Sequence, residues 1–295
     1  MATCDAVSAP SASYSTAQVV FNRRIADRTH RIRLECPGIA AVARPGQFAM
    51  LRIPDRNDPL LARPLAVYET FSDKSTSVPG GLQRSRSFVD FIYLVHGKFT
   101  TALQHLTTGS EIAIWGPLGN GFGMIPAVEH LVLVAGGIGQ TALLSLGRER
   151  LGPATRVTLC WGARTAAMFG DVDDFRDAGI DVHLATLDGS TGLRGTVVDL
   201  LDSLLPEAAN RSGRSGAIHI ACCGPEPMMA AVSRWTAGRE LGCHVSLEAP
   251  MACGVGICFT CVAKIRDAGQ TSGWDYRRTC VEGPVFEAGS IVWER

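Results

Sequence analysis

The sequence lacks any imbalance of charge: 28 Lys and Arg residues stand against 28 Asp and Glu over 295 residues. A balanced chain offers no basic field for a nucleic-acid backbone and no polybasic patch for an anionic membrane. Small molecules or another protein are therefore the expected partners. Long apolar runs are missing as well. The longest, such as His130 to Ile138, fall far short of the roughly 20 residues a spanning helix needs. Residues 1–16 are rich in Ser, Ala and Thr, with neither a basic start nor an apolar centre. That excludes a secretory signal and reads as a flexible tail on a cytoplasmic protein. No internal repeat is present. With 46% hydrophobic residues, the chain can bury the cores of two domains and a small third unit.

Cysteine, by contrast, is plentiful. Ten cysteines without a secretory signal point to free thiols and a metal site rather than disulfides. Six of them, Cys4, Cys36, Cys160, Cys222, Cys223 and Cys243, are scattered, and for most of these the expectation is a small buried side chain. The other four crowd one end: Cys253, Cys258 and Cys261 read C-x4-C-x2-C, and Cys280 follows. This is the spacing of a plant-type 2Fe-2S loop. The run Ala252-Cys253-Gly254-Val255-Gly256-Ile257-Cys258 supplies the small residues that let backbone wrap closely around a cluster. A structural zinc site is the alternative, but zinc loops favour two C-x2-C pairs, and only one tight pair is present.

The texture of the chain changes near Pro126. Before it, short alternating runs (18–23, 30–35, 47–53, 64–69, 88–96 and 111–115) are broken by Gly and Pro, predicting an antiparallel barrel over residues 17–125. A polar stretch, 71–87, reads as a long hairpin loop. After it, strands and helices alternate over 126–247: strands at 130–135, 156–161, 181–186, 217–222 and 243–247, with helices from Thr141, near 172–177, near 196–204 and around 227–239. Such alternation predicts a parallel sheet covered on both faces. Residues 248–295 are left as a compact cysteine module.

Several motifs sit on this frame. The apolar run His130–Ala135 leads into Gly136-Gly137-Ile138-Gly139-Gln140-Thr141, an order of strand, glycine turn and helix in which exposed N–H groups receive a pyrophosphate. The last glycine of G-x-G-x-x-G is absent, Ala142 standing there. Arg63-Pro64-Leu65-Ala66 begins a barrel strand, and Val95-His96-Gly97-Lys98-Phe99-Thr100 lies at another strand's end. An Arg beside Pro, facing a Gly/Thr turn, makes a workable diphosphate clamp. Cys223-Gly224-Pro225-Glu226-Pro227-Met228 closes the last crossover strand at its carboxyl edge, where open α/β sheets place ligands.

Taken in order, R-P-L-A-V-Y at 63–68, G-P-L-G-N-G-F at 116–122, A-G-G-I-G-Q-T at 135–141, C-G-P-E-P-M at 223–228, M-A-C-G-V-G-I-C-F-T-C at 251–261 and C-V-E-G-P-V-F at 280–286 resemble the electron-transfer subunits of NAD-reducing dihydroorotate dehydrogenases. These form a branch of the ferredoxin–NADP reductase superfamily, and the likeness spans nearly the whole chain. The resemblance implies an FAD-binding barrel, a Rossmann-like NAD domain and a 2Fe-2S module. It assigns Arg63, Pro64, Leu65 and Ala66, with Val95, Gly97, Phe99 and Thr100, to FAD. It assigns Gly136, Gly137, Gly139, Gln140 and Thr141 to the dinucleotide phosphates, Cys223 and Gly224 to the nicotinamide, and Cys253, Cys258, Cys261 and Cys280 to the cluster. Three departures stand out: Ala66 replaces the usual Ser, Phe99 the second Gly of a G-x-G-T turn, and Ala142 a common Pro.

A nicotinamide exchanges two electrons and an iron–sulfur cluster one, so a flavin must stand between them. The chain is too short to add a (β/α)8 barrel of about 250 residues, which implies a partner. By resemblance this is an FMN-bearing catalytic subunit that oxidises dihydroorotate to orotate, in a heterotetramer with two copies of each chain. The alternatives are a subunit serving a ferredoxin–NADP transhydrogenase, sulfide dehydrogenase or hydrogenase complex and, from another class, a non-catalytic zinc-stabilised binding protein.

Overall fold

The computed structural model describes residues 12–73, 86–205 and 217–293. Most of the hairpin loop expected at 71–87 thus lies outside the described residues, as does the start of the expected tail.

The first sheet is antiparallel and has seven strands: β1 (Ser13–Ala26), β2 (Thr29–Glu35), β3 (Phe48–Arg52), β4 (Arg63–Ala66), β5 (Glu69–Asp73), β6 (Arg86–Leu94) and β7 (Glu111–Leu118), in the order β4-β3-β7-β1-β2-β6-β5. Two short helices, α1 (Pro37–Ala40) and α2 (Gly97–Leu103), punctuate it. The chain leaving β4 curls the sheet toward a barrel. Val67 N–H donates to Gln47 O at 2.9 Å and Tyr68 N–H to Asp90 O at 3.0 Å, bridging its two ends. The interior is filled by alternating apolar residues such as Val19, Ile32, Leu34, Val89 and Phe91.

The second sheet carries β8 (His130–Gly136), β9 (Arg156–Ala163), β10 (Asp181–Thr186), β11 (Leu193–Arg194), β12 (Ile218–Cys223) and β13 (Gly242–Ser246), all parallel. Its strand order, β11-β10-β9-β8-β12-β13, reverses direction at β8. The switch point beside β8 is where such sheets open a crevice for a ligand. Helices α3 (Leu144–Arg150), α4 (Val172–Asp177), α5 (Val197–Leu204) and α6 (Glu226–Ala237) connect the strands. Thr196 starts α5 with a capping box closed by Asp199. Beyond Glu248 come the hairpin of β14 (Val262–Arg266) and β15 (Trp274–Arg278), then β16 (Val285–Glu287).

Four details differ from the sequence expectation. Strand β1 begins at Ser13, so the last residues assigned to the tail pair with β7, Ser13 opposite Gly116. The single run expected at 64–69 is two strands, because the chain turns at Val67–Tyr68. The glycine turn winds as a 3-10 helix over Gly137–Ala142, and α3 starts only at Leu144. Finally, β16 pairs antiparallel with β13, Val245 opposite Phe286, so the cysteine module supplies the rim of the α/β sheet.

Candidate functional site

Cys253, Cys258 and Cys261 lie in one loop backed by the barrel, and Cys280 follows in the turn beyond the β14–β15 hairpin. Met251, Cys261 and Cys280 pack with Phe48, Met50, Ala62 and Leu118 in one apolar cluster. Trp115 Nε1 donates to Cys253 O at 3.0 Å. Gly254 has φ +73°, and a Cβ there would strike the Met50 side chain at 2.6 Å, so only glycine permits this wrapping. Asn120, in the turn after β7, clamps the other end of the module. Its Nδ2 donates to Val285 O at 2.8 Å and Glu282 O at 3.2 Å, and its Oδ1 accepts from Val285 N at 3.1 Å.

Cys253, Cys261 and Cys280 are buried or half-buried, while Cys258 is exposed. Hydrogen bonds from Thr260, then from Cys253, draw the Cys258 thiol down to about 6. Burial, followed by the neighbouring Cys261 and Cys253 thiols, pushes Cys280 up to about 12. Among the described residues no three His, Cys, Asp or Glu side chains are gathered around a single metal ion. Cys253 acts on both Cys258 and Cys280, and Cys261 on Cys280, so the four thiols form one connected group. Four neighbouring sulfurs, mutually repulsive once ionised, suit a cationic iron–sulfur centre, which would lower both of these values.

The candidate flavin strand lies immediately behind. In the β3–β4 register Met50 opposes Pro64 and Phe48 opposes Ala66, so the residues that back the thiol loop are cross-strand partners of the candidate flavin residues. Leu65 and Val95 pack on the cluster that holds Phe99. The Phe99 ring is buried there, so only its backbone can face a ligand. Gly97 opens α2 with φ +79°. The Thr100 hydroxyl returns to His96, accepting from its N–H at 2.6 Å and donating to its carbonyl at 2.9 Å. Arg63 is exposed, with Nη1 folded onto the carbonyls of Leu61 and Ala62 at 3.1 and 3.0 Å. The guanidinium's remaining donors are available for an anion.

On the α/β side, the ends of β8 and β12 are pressed backbone to backbone. A Cβ on Gly139 would overlap Cys223 O, and one on Gly224 would lie 2.9 Å from Gly136 Cα. Gln140 and Thr141 are buried, and Gln140 Oε1 has no protein partner. Burial, and then the charge of Glu248, holds the Cys223 thiol up at about 12. It stays protonated, forming an uncharged wall rather than a nucleophile. One apolar cluster joins both halves: Tyr68, Ile92 and Phe122 pack with Leu131 and Ala135, and Ala66, Ile138 and Cys223 flank it. The thiol loop thus packs on β3, which pairs with the candidate flavin strand β4, and Ala66 of β4 flanks the same apolar cluster as Ile138 of the glycine turn.

Sequence motifs did not single out three residues that build this arrangement: Trp115, Asn120 and Trp161, whose Nε1 donates to Gly137 O at 2.8 Å. Asn120 lay within the G-P-L-G-N-G-F run, where a lone amide among glycines was the available signal.

Comparison with known proteins agrees with this geometry. Residues 248–292 match the model of the iron–sulfur cluster binding domain of dihydroorotate dehydrogenase B. Over 278 residues the chain is 34% identical to the electron transfer subunit of NAD-dependent dihydroorotate dehydrogenase B from Desulforamulus reducens, covering 94% of this chain and 98% of that one. The corresponding subunit from Geobacillus thermodenitrificans is 33% identical, with 93% and 96% covered. Among solved structures, a chain of an NADH-dependent reduced ferredoxin–NADP oxidoreductase, determined in connection with flavin-based electron bifurcation, superposes with TM-score 0.76 at 26% identity. It covers 95% of this chain and 90% of its own. A ferredoxin reductase of carbazole 1,9a-dioxygenase shares the fold, with TM-score 0.55 at 20% identity over 78% of this chain and 67% of its own.

Proposed function

The chain belongs to the family of electron transfer subunits of dihydroorotate dehydrogenase B, and from that premise we propose that it carries electrons from an FMN-bearing partner, through a 2Fe-2S cluster and FAD, to NAD⁺. The partner oxidises dihydroorotate to orotate, and two copies of each chain form the assembly. One observation carries this reading: Met50 and Phe48 back the thiol loop on one strand and oppose Pro64 and Ala66 on the next. Directly opposed residues in an antiparallel pair are only about 5 Å apart at Cα.

Bound flavin supplies the exchange between one-electron and two-electron chemistry. The chain's own residues hold and insulate. Cys253, Cys258, Cys261 and Cys280 are the cluster's ligands. Arg63 and the Gly97–Thr100 turn receive the FAD diphosphate, and Leu65 and Ala66 meet the ring. With Ala at 66, no side-chain hydroxyl reaches the flavin from that position. The 136–141 turn takes the dinucleotide phosphates, and Cys223 and Gly224 form the nicotinamide wall. Around the exposed Cys258 stand Val255, Ile257, Phe259 and Val281, with Ile257 at 79% and Phe259 at 63% exposure. Apolar side chains presented together at a surface suit burial by another protein, and this is the face we assign to the FMN subunit. No helix among the described residues is long and apolar enough to cross a membrane; we place the complex in the cytoplasm.

The test is anaerobic co-purification with the FMN subunit, with two irons and one FAD expected per chain. Dihydroorotate should bleach both flavins, and NAD⁺ should reoxidise them. Reduction by NADH without any response to dihydroorotate would reject the pyrimidine role and favour a bifurcating partner, the reading to which the 26%-identical structural neighbour points. Zinc in a colourless protein would reject electron transfer altogether.

A further inference from the structure

Trp161 is the largest fully buried side chain among the described residues. It lies on β9 opposite Ala135 of β8, which brings its indole to the glycine turn, where Nε1 donates to Gly137 O at 2.8 Å. A trans peptide unit points its C=O and N–H in opposite directions. Drawing the Gly137 carbonyl toward the indole therefore turns the Ile138 N–H away from it. Gly137 has φ +53°, and nothing stands within 4 Å of where its Cβ would be. A glycine so placed rotates readily, so a side-chain hold on its carbonyl matters here.

The indole is itself held. Phe169 meets it edge-on at 4.9 Å, and Phe175 lies tilted at 6.1 Å. Both rings belong to the segment that leads into and forms α4, and this segment is fastened to the barrel. Arg31 reaches Asp171 at 2.8 Å and Asp174 at 2.6 Å, and Asp27 N–H donates to Ala167 O at 2.8 Å. Support thus runs from the barrel, through α4 and two phenyl rings, to one peptide of the turn.

We propose that Trp161 is a positioning residue for the dinucleotide. Its indole N–H fixes the Gly137–Ile138 peptide so that the Ile138 N–H faces the pyrophosphate, and the barrel anchorage keeps that peptide in register with the flavin strand. The inference rests on the reading of the 136–141 turn as the dinucleotide site.

The test compares Trp161→Phe, which keeps an aromatic ring and removes the donor, with the parent in the complete complex. Calorimetric titration with NAD⁺ should show a dissociation constant raised about tenfold, the change expected from loss of one good hydrogen bond. Stopped-flow reduction by NADH should show a matching rise in the half-saturating concentration, with the limiting rate within twofold and with iron content and flavin spectrum unchanged. Phe169→Leu, which leaves the indole but removes its edge contact, should raise the same constant by two- to fourfold. It carries the test if Trp161→Phe does not fold. NAD⁺ affinity within twofold of the parent in the folded variants, or a loss confined to flavin content and limiting rate, would make Trp161 a core residue only. A parent complex that neither binds NAD⁺ nor is reduced by NADH would instead overturn the dinucleotide reading itself.

Discussion

Between the barrel and the α/β domain lies a set of buried charges, whereas between the barrel and the cysteine module lie apolar side chains and two polar clamps. In the first interface Arg31, Arg33 and Arg148 face Glu69, Asp90, Asp171 and Asp174. Asp90 is fully buried and Arg31 only 5% exposed. The Tyr68 hydroxyl donates to Asp174 at 2.9 Å and is kept protonated by burial first and by that carboxylate second. Such a network gains little net stability over apolar packing, because desolvating ions is costly. Its bonds are directional, however, and fix how the two domains are set against each other. The second interface relies on Met50, Phe48 and Leu118 against Met251 and Cys261, with Trp115 and Asn120 as clamps. There the hydrophobic effect supplies adhesion, and orientation rests on two side chains.

The contrast can be broken from either side. The largest effect is expected at the cluster: Cys261→Ser should abolish iron binding and all transfer between dihydroorotate and NAD⁺, while NADH still reduces the FAD. Iron analysis and low-temperature spin resonance check the first part, and visible spectra the second. Next comes Arg31→Met, which leaves Asp171 and Asp174 without their shared guanidinium and Asp90 with Arg33 alone; a loss of about 3–5 kcal/mol is expected for a broken buried pair. Urea unfolding measures it, and adding Asp171→Asn, which removes one of the two carboxylates left without a cation, should recover part of the loss.

A pH effect on the α/β domain follows in size. Burial, then Arg156, lowers His130 to about 4, below the roughly 6.5 of an unfolded chain. The unfolded state then binds more protons in that window. Stability is full above pH 6.5 and falls as pH drops toward 4, by about 2–4 kcal/mol for this group at about 1.4 kcal/mol per unit. His130→Gln should remove that share of the slope in unfolding measured from pH 7 to 4, leaving the share of His219, which burial also lowers to about 4. The smallest effect is Asn120→Ala, about 1–2 kcal/mol for hydrogen bonds lost at a partly buried clamp. Limited proteolysis should show it as faster cleavage around the cysteine module, with the barrel unaffected.

How much of this was legible in the sequence depended on whether the signal was local. The ligand spacing of Cys253, Cys258 and Cys261 is set by one loop and reads directly. Strand β10 and helix α4 fall at the expected 181–186 and 172–177 because the apolar pattern and helix-start signals sit within a single element. The charge network was not legible. Arg31 and Asp174 are 143 residues apart, and each alone looks like an ordinary surface charge. Trp161 read as one more apolar residue in a buried strand, since its partner is a backbone carbonyl with no sequence signature. Strand β16 escaped for a related reason: three residues carry too short a period to be seen, and its pairing with β13 bridges about 40 positions of intervening chain.

That last pairing governs the order of assembly. Until Val285–Glu287 emerge, the outer side of β13 presents unpaired N–H and C=O groups, and the Asn120 clamp has nothing to close on. During synthesis the α/β domain must therefore wait for the segment beyond the cysteine hairpin before that border is sealed. A chain cut between Cys280 and Val285 would keep all four thiols and still be left adhesive along β13.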